Sequence, residues 1–166
     1  KQLMPEDPKI RALVWQWMDW KHGALRNGCA GMVRRRVMQY TIKDKTQHSM
    51  FVDFKEIPEE RNKREMLEAL RIVEAQLAAT KAFLVPGTTK PTLADVAVFE
   101  EIEQLLLMPS KLAPPEGGDL AAYPNIQQWL PKVRKGVPAY EETHKDLVAS
   151  AAALEKQRNA PPKPKM

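Results

Sequence analysis

Pro91-Thr92-Leu93-Ala94-Asp95-Val96-Ala97-Val98-Phe99 is the stretch that decides how this chain is read. Thr92 and Asp95 stand at the N-cap and N3 positions of a capping box. The Thr92 hydroxyl accepts from the Asp95 N–H, and the Asp95 carboxylate reaches back to the Thr92 N–H. Behind the box, Val96, Phe99, Ile102, Leu105 and Leu106 make a strongly apolar helix, which is predicted to be the central core helix. If the box is buried, removing the Asp95 side chain costs about 1 kcal/mol or more. Glu100, Glu101 and Glu103 are read as a solvated face of this helix.

Working upstream, Pro58 in a first turn, with Glu59 and Glu60 at the positive helix end, opens a long helix. Met66, Leu70, Val73 and Leu77 are its stripe, and it is expected to end near Thr80 or Lys81, before the Pro86-Gly87 turn. Phe83 and Leu84 then form an anchored exit segment. Residues 39–56 are mixed and read as a loop with at most a short helix. Nearer the start, Asp7-Pro8 is an N-cap followed by Pro at the first helical position. Ile10, Leu13, Val14 and Trp17 fall on one face, while Trp15, Met18 and Trp20 lie off it or on its margin. A helix with large apolar groups on more than one face needs more than one neighbour. Gly23, Gly28 and Gly31 either break that helix or mark close packing or a bound ligand; the spacing of Ala24, Leu25, Met32 and Val33 favours a long bent helix to about Val37.

Downstream, Pro109, Pro114, Pro115, Gly117 and Gly118 place a loop between Met108 and Pro124. A short helix follows around Ile126, Trp129 and Val133, with a kink expected at Pro131. A last helix carries Tyr140, His144, Leu147, Val148, Ala151 and Leu154 on one face. The expected organisation is one all-α domain, a bundle of five to six helices over residues 3–154, followed by a disordered Pro/Lys-rich tail over 155–166.

The chain has 166 residues, one cysteine, three histidines and a net charge of +5. That is enough for one core, and not comfortably for two. A lone Cys29 excludes an intrachain disulfide and a cysteine metal cluster, favouring a reducing compartment; the scattered histidines argue against a metal site. No run approaches the roughly 18 apolar residues of a membrane span, so the chain reads as soluble and cytoplasmic. The positive excess sits in residues 1–50, with ten Lys/Arg against four Asp/Glu, and in the tail. Arg34, Arg35 and Arg36 are its one dense run, read as a solvated helix end in preference to a nucleic-acid surface. Opening on Lys1, the sequence reads as a piece of a larger parent.

Sequence motifs of phosphate-binding, hydrolase and zinc-protease sites are absent. Cys29 has Arg26 three residues before it, but a lone helical cysteine is more often a small core residue. His22 and Arg26, spaced i and i+4 beside Gly23, either receive an anion or polar substrate or form a surface pair held by local carboxylates. His48 and His144 are read as structural.

Phe83-Leu84-Val85, Pro91 to Ala97, Tyr123-Pro124-Asn125-Ile126 with Trp129, and Val137-Pro138-Ala139-Tyr140, in that order, resemble the C-terminal helical domain of glutathione S-transferases. In that family the Thr/Ser-x-x-Asp box caps the buried core helix and matters for folding. Trp20-Lys21-His22-Gly23-Ala24-Leu25-Arg26, continuing to Val37-Met38, is similar to the theta class. That resemblance implies that Arg26 faces the active site and stabilises anionic, glutathione-bearing reactants. It implies that Met38 lines the hydrophobic second-substrate pocket, with His22 part of the same motif. It covers roughly residues 3–150.

The resemblance also implies an N-terminal thioredoxin-like domain, carrying glutathione as co-substrate and a catalytic serine, which this chain lacks. No catalytic group is therefore expected in residues 1–166. A homodimer, a small electrophile and no metal complete the expectation. Trp15, Trp17, Trp20 and Met18 would cover a seam with the missing domain or the second subunit. Two departures touch the pocket: no aromatic follows Tyr140, and Arg34 replaces a bulky aromatic. The rival reading is a docking module, as in translation elongation factor subunits and aminoacyl-tRNA synthetase complexes.

Overall fold

The computed structural model describes residues 3–38, 58–108, 120–137 and 139–159. Among them are six α-helices and no strand: α1 (Pro8–Trp20), α2 (Ala24–Val33), α3 (Glu59–Thr80), α4 (Leu93–Glu103), α5 (Pro124–Gly136) and α6 (Tyr140–Asn159). A π-helical turn, Arg34–Met38, extends α2, and a 3-10 turn, Gln104–Leu107, extends α4. The expected loop at 39–56, His48 with it, and residues 109–119 of the loop expected between Met108 and Pro124 lie outside the described residues.

Local signals account for most helix ends. Asp7 Oδ1 accepts the Lys9 N–H at 2.8 Å, and Pro8 opens α1. Pro58 caps α3, and Lys81 closes it in the left-handed conformation with φ 68°. At α4 both arms of the capping box are in place. The N-terminus of α5 is capped from a distance: Glu74 of α3 accepts the backbone N–H groups of Asn125 and Ile126, both at 3.0 Å. A carboxylate there satisfies free N–H donors and lies at the positive end of the helix dipole. α5 runs through Pro131, which is exposed.

Most of the described core is one large cluster around α4. Phe99 and Ile102 of α4 pack with Met66, Leu70 and Val73 of α3, Leu25, Met32 and Val33 of α2, and Ile126, Trp129 and Val133 of α5. A smaller cluster places Val14 of α1 against Val85 and Ala94, with Ile10, Leu13 and Trp17 around it. Trp15 faces away from both and is 50% exposed.

The helix expected to run to Val37 is instead broken at Lys21-His22-Gly23. The Gly23 N–H donates to Trp20 O at 3.1 Å, and Arg26 N–H to Lys21 O at 3.0 Å, so neither keeps α-helical pairing. Gly28 and Gly31 remain inside α2 and serve close packing. A Cβ at Gly28 would overlap the Met66 backbone, and one at Gly31 would come within 2.5 Å of Asn62 Nδ2. Asn62, fully buried, donates from Nδ2 to Asn27 O at 2.8 Å. Two missing side chains thus let α2 and α3 approach closely.

The expected boundary at Leu154, with a disordered tail from 155, needs correction, because α6 continues to Asn159. Arg158 Nη2 donates to Leu107 O at 2.9 Å, and Asn159 Nδ2 to Glu155 Oε1 at 3.2 Å. These polar contacts extend a helix whose apolar stripe has already ended. Residues 160–166 lie outside the described part.

Candidate functional site

The corner between α1 and α2 gathers the chemistry. Arg26, in the first turn of α2, lays its Nε edge 3.5 Å from Glu101 Oε1 of α4. Lys21 Nζ, at the end of α1, lies 3.6 Å from the same oxygen, and Gln104 Nε2 donates to Glu101 Oε2 at 3.0 Å. The carboxylate is buried, with side-chain exposure of 7%, whereas the Arg26 side chain is 46% exposed. A buried carboxylate needs partners in place of water, and here it has two cations and an amide.

His22 completes the corner. Arg26 Nη1 donates to His22 Nδ1 at 3.2 Å. A guanidinium only donates, so Nδ1 accepts and the proton of the neutral ring sits on Nε2. The break at Gly23 therefore turns the two residues toward each other across the corner, although they do not share one continuous helix. With Nε toward Glu101 and Nη1 toward His22, the guanidinium has one orientation and remains open to an anion from solvent.

A second polar group anchors α6. Glu103, 1% exposed, takes a forked contact from Arg134, with Nε at 3.0 Å and Nη2 at 2.9 Å, and accepts the Tyr140 hydroxyl at 2.6 Å. The Tyr140 hydroxyl is pushed up to about 12 by burial and by the bond to Glu103. His144 stacks on Tyr140 with ring centroids 4.4 Å apart, and its Nε2 lies 3.1 Å from Glu100 Oε2. These contacts are structural, as expected for His144.

An apolar groove of about 310 Å³ opens beside α1, lined by Leu13, Trp17, Trp20, Ile72, Gln76 and Pro86. Trp17 and Trp20 meet edge to face at 5.0 Å.

With this geometry stands a family match: the glutathione S-transferase C-terminal domain model fits residues 31–146. The chain belongs to the glutathione S-transferase C-terminal domain family. Curated relatives match over 93% of the chain: Glutathione S-transferase T3 of Arabidopsis thaliana at 24% identity, with 24% of its length covered, and Glutathione S-transferase T1 of the same plant at 25%, with 59% covered. The chain thus spans under two thirds of the length of these relatives. Among solved structures, Glutathione Transferase E6 from Drosophila melanogaster superposes with TM-score 0.61 at 24% identity, covering 96% of this chain and 62% of that one. An epsilon-class glutathione S-transferase from the housefly, Musca domestica, gives TM-score 0.58 at 22% identity, covering 95% of this chain and 61% of that one.

Within this glutathione S-transferase C-terminal domain, the family match begins downstream of Lys21, His22 and Arg26. The structure brings His22 and Arg26 together. Met38 is not beside them: it ends the π-helical turn, roughly 18 Å farther along at 1.5 Å per residue, and its side chain lies outside the described residues. Thr92 and Asp95 sit at the start of α4, apart from the corner and buried. Cys29 is fully buried, with its thiol pushed up by desolvation and by Glu101, so it is a core residue and not a nucleophile.

Lys21, Glu101 and Gln104 were not legible as members of the site. The solvated-face reading is right for Glu100 and wrong for Glu101 and Glu103, which are buried. One signal was available. A helix central to the core has little solvent-facing surface, so carboxylates distributed around it require cations from other segments.

Proposed function

We propose that this domain forms the electrophile side of the active site in a theta-like glutathione transferase. Its Arg26 would stabilise the anionic reactants. The single observation that carries the proposal is the Arg26 guanidinium, solvent-open and held in one orientation between Glu101 and His22. The names of the plant relatives, and their match across the corner as well as the bundle, support the reading.

The chemistry places charge where Arg26 can meet it. A glutathione thiolate donates a sulfur electron pair to an electrophilic carbon, forming a C–S bond. In substitution, the carbon–halogen bond breaks and its pair leaves on the halide. A fixed cation beside reacting anions costs no reorganisation as charge moves, which is the basis of electrostatic catalysis. On this reading glutathione is a co-substrate held by a thioredoxin-like partner domain that also supplies the hydroxyl activating the thiolate. No metal is required. Residues 1–166 supply binding and the Arg26 charge, with Met38 on the apolar wall, and neither the nucleophile nor the hydroxyl that activates it. The uncovered Trp15 and the Trp17–Trp20 groove suit a covering partner domain or a second subunit of a cytoplasmic homodimer.

The test compares two arginines in the intact protein. Arg26→Ala is expected to lower kcat/KM for conjugation of glutathione to an alkyl halide by about tenfold or more, equivalent to about 1.4 kcal/mol of transition-state stabilisation. Arg71→Ala, an exposed change on α3 away from the corner, should leave it within about twofold. Equal effects would return the domain to a docking role.

A further inference from the structure

We propose that Glu101 is a positioning residue for Arg26: it fixes the guanidinium at the α1–α2 corner and holds back Lys21 from the same space. The proposal rests on the reading of Arg26 given above and concerns a residue that the corner's sequence motif does not contain. Glu101 lies on α4, outside the segment carrying Trp20, His22 and Arg26, and reaches them only through the fold.

Three observations support it. First, Glu101 Oε1 is shared between Arg26 Nε at 3.5 Å and Lys21 Nζ at 3.6 Å, so one oxygen draws both cations to the same point. Second, its other oxygen accepts from Gln104 Nε2 at 3.0 Å, so the carboxylate cannot turn freely to follow a moving arginine. Third, burial differs sharply across the pair: the carboxylate is enclosed, while Arg26 is close to half exposed. A fixed buried anion beside a long exposed side chain sets where the guanidinium rests and removes a conformational cost from anion binding.

The charge count separates positioning from simple attraction. The cations Lys21 and Arg26 and the anion Glu101 together leave one net positive charge. Glu101→Gln raises it to two, which by itself draws anions more strongly. A positioning role therefore predicts a split: turnover falls while apparent substrate affinity does not. Loss of general structure would not produce that split.

The experiment uses the intact protein, with an alkyl halide and glutathione as probes. Glu101→Gln is expected to lower kcat about fivefold to tenfold, with KM for glutathione unchanged or lower. In an Arg26→Ala background the same change should cost no further kcat, because nothing is left to position. Gln104→Ala, which removes the amide holding Glu101 and neither charge, should reduce kcat in the same direction by a smaller factor. This milder variant carries the test if Glu101→Gln does not fold. In residues 1–166 alone, the Arg26 Nε–H resonance, assigned by its loss in Arg26→Lys, should shift and broaden in the Glu101 or Gln104 variant. Unchanged kcat and an unchanged resonance in these variants, while Arg26→Ala is strongly impaired, would overturn the positioning role and leave the reading of Arg26 intact. An unimpaired Arg26→Ala would instead overturn the reading beneath it.

Discussion

Trp129 Nε1 donates to Asp95 Oδ1 at 3.0 Å across 34 residues of sequence, and this bond makes a helix cap into a junction of the fold. The same Oδ1 accepts the Leu84 N–H at 2.9 Å, while Oδ2 accepts the Thr92 N–H at 2.8 Å and the Thr92 hydroxyl at 2.9 Å. One fully buried carboxylate thus joins the exit segment after α3, the start of α4 and the middle of α5.

Asp95→Ala is therefore expected to cost well beyond an ordinary cap, about 3–5 kcal/mol, because several buried donors lose their acceptor at once. Thr92→Ala, which removes one arm of the box, should cost about 1–2 kcal/mol. Urea denaturation of both variants checks the ranking. Comparable losses would show that Asp95 acts only as a local cap.

Gly28→Ala and Gly31→Ala test the α2–α3 contact. Alanine improves helix propensity by about 1 kcal/mol, yet both changes should destabilise, by about 1–3 kcal/mol, because the added Cβ meets α3. Gly28→Ala should be worse, since it meets the Met66 backbone, whereas Gly31→Ala meets the Asn62 side chain. Adding Asn62→Ala to Gly31→Ala should relieve the overlap and leave Gly28→Ala unaided. Thermal unfolding reads the order, and a stabilised Gly28→Ala would refute close packing.

Tyr140 provides the pH prediction. Its folded value, about 12, lies above the ordinary tyrosine value near 10 because burial and the bond to Glu103 favour the protonated hydroxyl. The folded state therefore holds this proton more tightly than the unfolded state does. Its contribution to stability is complete below about pH 10 and is lost as pH rises toward 12. Absorbance titration of the phenolate should show a late phase that Tyr140→Phe removes; burial also raises Tyr123, whose late titration should persist. Between about pH 10 and pH 12 the stability of the Tyr140→Phe variant should fall less steeply with pH than that of wild type, because the variant has no such proton to lose.

Much of the bundle was legible because its signals are local. Asp7-Pro8, Thr92 with Asp95, and the stripe Met66, Leu70, Val73 and Leu77 each settle a helix start or a buried face within a few residues. The motif pairing His22 with Arg26 was legible for the same reason. Other features depended on distant partners. Whether Glu103 faces water or the interior depends on Arg134 and Tyr140, which arrive from α5 and α6. Periodicity alone assigns a face and cannot say what occupies the space opposite it.

The sequence by itself determined an all-helical chain, the capped core helix, and the residues marking its family, since capping, propensity and apolar spacing act over short stretches. The tertiary structure decided where the first long helix breaks, why α2 carries two glycines, that α6 continues to Asn159, and that the buried Glu101 meets the Nε edge of Arg26. Each of those outcomes balances a local preference against burial, and burial exists only once distant segments have met.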